Sequence, residues 1–121
     1  MANTFKVATF AAEPASAGTP YVMYTIAGST TGVVLGLILT NIHSSAVTAE
    51  VELVSTTANR SVANNTANGT SFLVKDVSIP AGSSLEVLTG GKVVMETTDI
   101  LKIDCSVADK LSGTLSLMEI T

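Results

Sequence analysis

Acid–base chemistry in this chain has one imidazole to draw on, His43, where an apolar run ends in Thr40-Asn41-Ile42-His43-Ser44. A hydrolytic triad would need a nucleophile held against that ring and a carboxylate behind it. Asp99 and many serines exist elsewhere, but there is no G-x-S-x-G elbow and no spacing that singles out one serine. The expected role of His43 is a local hydrogen bond in a turn. Asp104, Cys105 and Asp109 form the densest group of possible metal ligands, without the paired Cys or His spacing of a zinc site or the D-x-D-x-D-G loop of a calcium site. Strand alternation sends Asp104 and Cys105 to opposite faces, so they do not share one ion. Glu50 and Glu52 share a face, as a glycosidase pair would. With no Trp and 4% aromatic residues, however, no platform for a sugar surrounds them. Gly90-Gly91 leads into another strand and not into a helix, so it makes no phosphate cradle. No catalytic, cofactor-binding or metal-binding residue is assigned.

The elements that would carry these residues have a period of two. Runs of five to ten residues alternate apolar with polar and are separated by Gly, Pro, Asn and Ser clusters, the pattern of successive antiparallel strands. About eight such runs are expected. They begin with Asn3 to Phe10, followed by a flexible connector over 11–20 whose small residues and prolines disfavour regular structure. Tyr21 to Ala27 follows, then Val33 to Ile42, apolar on both faces and therefore expected at the centre with a cover on each side. Gly36 marks a bulge or a close approach in it. Val47, Ala49, Val51 and Leu53 point one way while Thr48, Glu50 and Glu52 point the other. Residues 55–71 are polar and aperiodic and contain Asn68-Gly69, a strong turn signal, so they read as a long hairpin loop. Further strands are expected over Phe72 to Ile79, Leu85 to Leu88, Lys92 to Glu96, Ile100 to Val107 and Thr114 to Ile120. Helix is confined to a possible turn near Ala108 to Leu111. The expected fold is all-β, a single antiparallel β-sandwich of jelly-roll or immunoglobulin-like type in one domain spanning 1–121.

Composition narrows the function classes. Charged residues make up 13% of the 121-residue chain, and Ser, Thr and Asn supply the missing polarity. So neutral an exterior suits packing against other protein, which points to a homo-oligomer. A net charge of −4 gives no basic footprint for nucleic acid. The longest apolar run, Val33 to Leu39, is too short to cross a bilayer, so no membrane partner is expected. The start MANTFKVATF lacks the basic and apolar regions of a secretory signal, and synthesis in the cytoplasm is expected. Cys105 is the sole cysteine, read as a small core residue. Three Asn-x-Ser/Thr sequons begin at Asn59, Asn64 and Asn68 and are read as loop composition. Two segments are candidate inter-subunit contacts: the N-terminal strand, with Phe5 and Val7, pairing with a sheet edge of its own or a neighbouring subunit, and the long loop, with Asn59, Arg60, Asn64, Asn65 and Asn68, acting as an arm.

A family pattern runs along most of the chain. It comprises the MANTFK start, the Tyr24 to Ile26 strand, VVLGLILTNI, VTAEVELV, the turn IPAGSSLEV, GGKVVMETTDILKI and the closing TLSLMEI. In this order of segments the chain resembles the small virion structural proteins of tailed bacteriophages, especially those of marine and cyanobacterial phages. It departs at Thr98-Asp99, where that pattern often has Gly-Asp. The resemblance implies a non-enzymatic role without cofactors, in the virion, as a homo-oligomer, trimer or higher, contacting major capsid or tail proteins. Capsid decoration is the leading expectation, a tail or neck accessory part the alternative, and a receptor- or glycan-binding module a further one. No site residue is carried over, because the family has no catalytic motif.

Overall fold

The structure, a computed structural model, describes residues 2–55, 69–88 and 90–121. Among these it has nine strands and no helix: β1 (Asn3–Glu13), β2 (Tyr21–Thr25), β3 (Thr31–Asn41), β4 (Val47–Val54), β5 (Thr70–Ile79), β6 (Ser84–Glu86), β7 (Val93–Met95), β8 (Ile100–Cys105) and β9 (Leu111–Ile120). They form two antiparallel sheets in a β-sandwich. The first has the order β1-β9-β3-β6, with β7 also paired to β3, and the second has the order β2-β8-β4-β5. Inward-facing Leu37, Leu39, Leu115 and Leu117 of the first sheet and Ala49, Val51, Leu101 and Ile103 of the second are buried to 1% exposure or less. Burying each larger side chain contributes about 1.5–3 kcal/mol, so this seam is the main source of stability. Cys105 belongs to the same core.

The alternation places most strands where expected, and several boundaries move for identifiable reasons. The first strand runs on to Glu13 through a register shift after Phe10, so only part of 11–20 connects. The connector is tied down: Thr19 donates its amide to Ser16 O, Asp109 donates to Pro14 O, and Gly18 donates to Asp104 Oδ1. The Glu13–Pro14 peptide is cis. The last strand begins at Leu111 and includes Gly113, where the Phe10 ring occupies the space a Cβ would need and so accounts for a glycine inside a strand. Residues 108 and 109 form a turn with Asp109 at φ 58°, in place of the possible helical turn.

β3 is central, as its sequence implies, but it is not covered on both faces. Its register on β9 shifts between Val34 and Gly36, the bulge that the glycine marks. The shift reverses the alternation: Val34 points inward before it and Leu37 and Leu39 after it, while Leu35 and Ile38 are exposed on the outer face. A bulge and a one-sided strand therefore look, in sequence, like a run apolar on both faces.

Candidate functional site

The residues considered for catalysis do not converge. His43 lies just beyond the C-terminal end of β3, and its backbone amide donates to Asn41 Oδ1 at 2.7 Å. Asp99 lies near the other end, with its carbonyl accepting from Ile26 N and its carboxylate from Glu96 N. At roughly 3.3 Å per residue, the length of β3 separates them by about 30 Å, so no triad joins them. Asp104 and Cys105 point to opposite faces. The Asp104 Oδ1 accepts from the Gly18 and Cys105 amides, and Asp109 sits in its turn. Glu50 is directly opposite Asp104 across β4 and β8, beside a hollow of about 350 Å³ that Asp76 and Ser106 also line. The polar groups there are engaged: Lys75 Nζ donates to Glu50 at 2.8 Å and lies 3.8 Å from Asp76 Oδ2, and Ser106 Oγ accepts the Thr48 amide. Among the described residues no three potential ligands are grouped to hold a metal ion. A groove beside Tyr21 and Val22 gives no aromatic platform. The Tyr21 ring packs edge-on against Phe10 at 5.2 Å, and the Tyr24 hydroxyl donates to Glu119.

The two outer faces of the sandwich differ instead in charge. On the β4–β8 sheet the cross-strand rows are Glu52 opposite Lys102 and Glu50 opposite Asp104, with Lys75 and Asp76 beside them. This face is built for water. On the other sheet, alternation puts Asn3, Phe5, Val7 and Thr9 of β1 outward. Beside them lie Ser112, Thr114, Ser116, Met118 and Ile120 of β9, and Thr31, Val33, Leu35, Ile38 and Thr40 of β3. None of these is charged. The register also aligns one row across the sheet: Phe5 pairs with Met118, Met118 with Val33, and Val33 with Val94 of β7. Phe5 is 73% exposed, Val7 66% and Val94 59%. Acidic and basic side chains return only at the β6–β7 margin, with Glu86, Lys92 and Glu96.

Two other charged groups of the first sheet, Lys6 and Glu119, meet on its inner side. Glu119, buried on the inner face of β9, accepts from Lys6 at 2.6 Å and from the Tyr24 hydroxyl at 2.7 Å, closing the sandwich between β1 and β2. The Lys6 and Tyr24 hydrogen bonds hold the Glu119 carboxyl below its ordinary value of 4.5, against the opposing effect of burial. Lys6 is raised, chiefly by the same hydrogen bond. Tyr24 is raised first by desolvation and then by Glu119.

Of the expected contact residues, Phe5 and Val7 are brought together on this uncharged face. Asn59, Arg60, Asn64, Asn65 and Asn68 lie outside the described residues, although the β4–β5 hairpin that carries them is formed and Ser55 N bonds Gly69 O at its neck. The N-terminal strand pairs with β9 of its own chain, so its inner edge is satisfied without a neighbour. Val33, Leu35, Ile38, Val94 and Met118 were not identified from sequence, because only the strand register shows that they join Phe5.

No family model matches the chain, and no curated protein does. Among solved structures the chain is similar to one described under Bacillus endospore appendages, a family of disulfide-linked pili. The two are 15% identical with a TM-score of 0.49, and the match covers 99% of this chain and 87% of the other. A likeness of that size carries no argument about function.

Proposed function

We propose that this chain is a non-enzymatic building block of a protein assembly, and specifically a structural component of a tailed-phage virion that decorates the capsid. The observation that carries the assembly role is the uncharged outer face with its row Phe5, Met118, Val33 and Val94, set against a charged opposite face. Large contiguous apolar patches are rare on monomers, and a face depleted of charge with an aromatic in its row has the composition of an interface centre. The dispersal of His43, Asp99 and the engaged carboxylates supports the non-enzymatic reading. The virion setting rests on the sequence resemblance, with a tail or neck part as the alternative location within it.

The test is to add the purified full chain to phage particles that lack it and to follow co-sedimentation. Saturable binding to DNA-filled heads supports capsid decoration, and binding to isolated tails supports the alternative location. Binding to neither, with attachment to host cells instead, would overturn the proposal in favour of a receptor-binding module.

A further inference from the structure

Each sheet of an open sandwich ends in edge strands, and natural proteins blunt such edges with short strands, bulges, prolines or charge. Three of the four edges here are blunted in these ways. The β6 and β7 edge consists of two three-residue strands. β2 has five residues and a register shift between Val22 and Tyr24. β5 shifts register twice against β4, holds Asp76 at φ 51°, and carries Lys75 and Asp76. β1 is the least blunted of the four over its first eight residues, its single such device being the inward-pointing Lys6. Its ladder on β9 runs from Asn3 to Phe10 without a break, no proline interrupts it, and its one charge, Lys6, is drawn inward to Glu119.

The backbone of β1 also has a defined polarity. Ala2 and Thr121 exchange both hydrogen bonds, Ala2 N to Thr121 O and Thr121 N to Ala2 O. Antiparallel pairs alternate between bonded and non-bonded, so Thr4, Lys6 and Ala8 direct their amides and carbonyls to β9, and Asn3, Phe5, Val7 and Thr9 direct theirs to the open edge. β1 is terminal in its sheet, so no described strand takes these groups. The same residues present their side chains on the uncharged outer face, and Phe5 and Val7 are the most exposed large hydrophobics among the described residues.

We infer that the open edge of β1 pairs antiparallel with β1 of a second copy, joining the two sheets into one across a two-fold axis. This deepens the assembly reading by naming the partner and the strand. A second copy fits because an antiparallel edge is its own complement about a two-fold axis. Charge agrees: two chains of net −4 meet along a strip whose outer face carries no charge, Lys6 of each copy is paired with its own Glu119, and the carboxylates of the β4–β8 sheet stay outside. Bonding parity requires odd-numbered residues to face odd-numbered residues, so Phe5 and Val7 of both copies fall on one face and lengthen the apolar row. Such pairing closes at two, so copy number is even, as a dimer or as pairs within a larger ring.

The test is the light-scattering mass of the full chain and two variants, with circular dichroism to establish folding. Val7→Pro removes an amide that points to the open edge and leaves the β9 ladder intact, and Phe5→Lys places a charge on the strip. The expected result is a wild-type mass at an even multiple of 12.3 kDa, halved in both variants with the sheet spectrum retained. If Val7→Pro unfolds, Phe5→Lys carries the test. A wild-type monomer, an odd oligomer, or folded variants that keep the wild-type mass would overturn the edge pairing. An odd oligomer, or a monomer that binds particles, would leave the proposed function standing, whereas edge-paired dimers that bind no particle would overturn only that function.

Discussion

Gly113 and Gly36 both sit inside strands, for different reasons. A methyl group at Gly113 would run into the Phe10 ring, which packs edge-on against Tyr21 where the two sheets meet, whereas a Cβ at Gly36 has open space around it. Gly113→Ala is expected to lower stability by about 1–3 kcal/mol through overpacking, and Gly36→Ala to change it by less than about 0.5 kcal/mol; thermal denaturation of the two variants checks this. Asn41 shows how a polar side chain can be buried without loss. Its Nδ2 donates to Ser45 O and Ile79 O, and its Oδ1 accepts from His43 N. Asn41→Leu leaves those backbone groups unpaired and is expected to cost about 1–3 kcal/mol in a denaturant titration. Glu119 adds a pH dependence. Its folded value lies below 4.5, so its contribution is complete above that value and is lost as pH falls through the folded one. Lys6 works in the other direction, with a contribution complete below 10.5 and lost as pH rises through its raised value. The stability difference between wild type and Glu119→Gln should therefore shrink as pH is lowered below 4.5, and a constant difference down to acid pH would contradict the ion pair.

At the scale of the element, β1 holds the most consequential asymmetry. Amide exchange should alternate along it: in the unpaired chain Thr4, Lys6 and Ala8 are protected by β9, while Phe5, Val7 and Thr9 exchange fast. In the assembled chain all six should be slow, and unchanged exchange at Phe5 and Val7 on assembly would count against the edge. The strands themselves were legible in the sequence because each buries one face, and period-two alternation records which. Gly36 was legible as a bulge. What the bulge does to β3 was not, since reversal of the alternation is indistinguishable in sequence from a strand buried on both sides. The continuation of β1 to Glu13 was hidden for a related reason, because the register shift after Phe10 breaks the period that marks a strand.

For the whole molecule, the fold was legible and part of the uncharged outer face was. Phe5 and Val7 could be named because they alternate on the first strand, but Met118, Val33 and Val94 come from three distant segments and meet Phe5 only through three registers. Charge segregation between the sheets follows from the same long-range pairing. It is also the feature that separates the proposed assembly part from a solvated monomer, because charges on both faces would have to be stripped of water before copies could meet. The measurement that tests this most directly is the mass of the full chain by sedimentation equilibrium at low salt and at 1 M sodium chloride. An uncharged apolar contact predicts an oligomer whose mass is maintained or strengthened at high salt. A monomer in both conditions, or an oligomer that falls apart at high salt, would contradict the account.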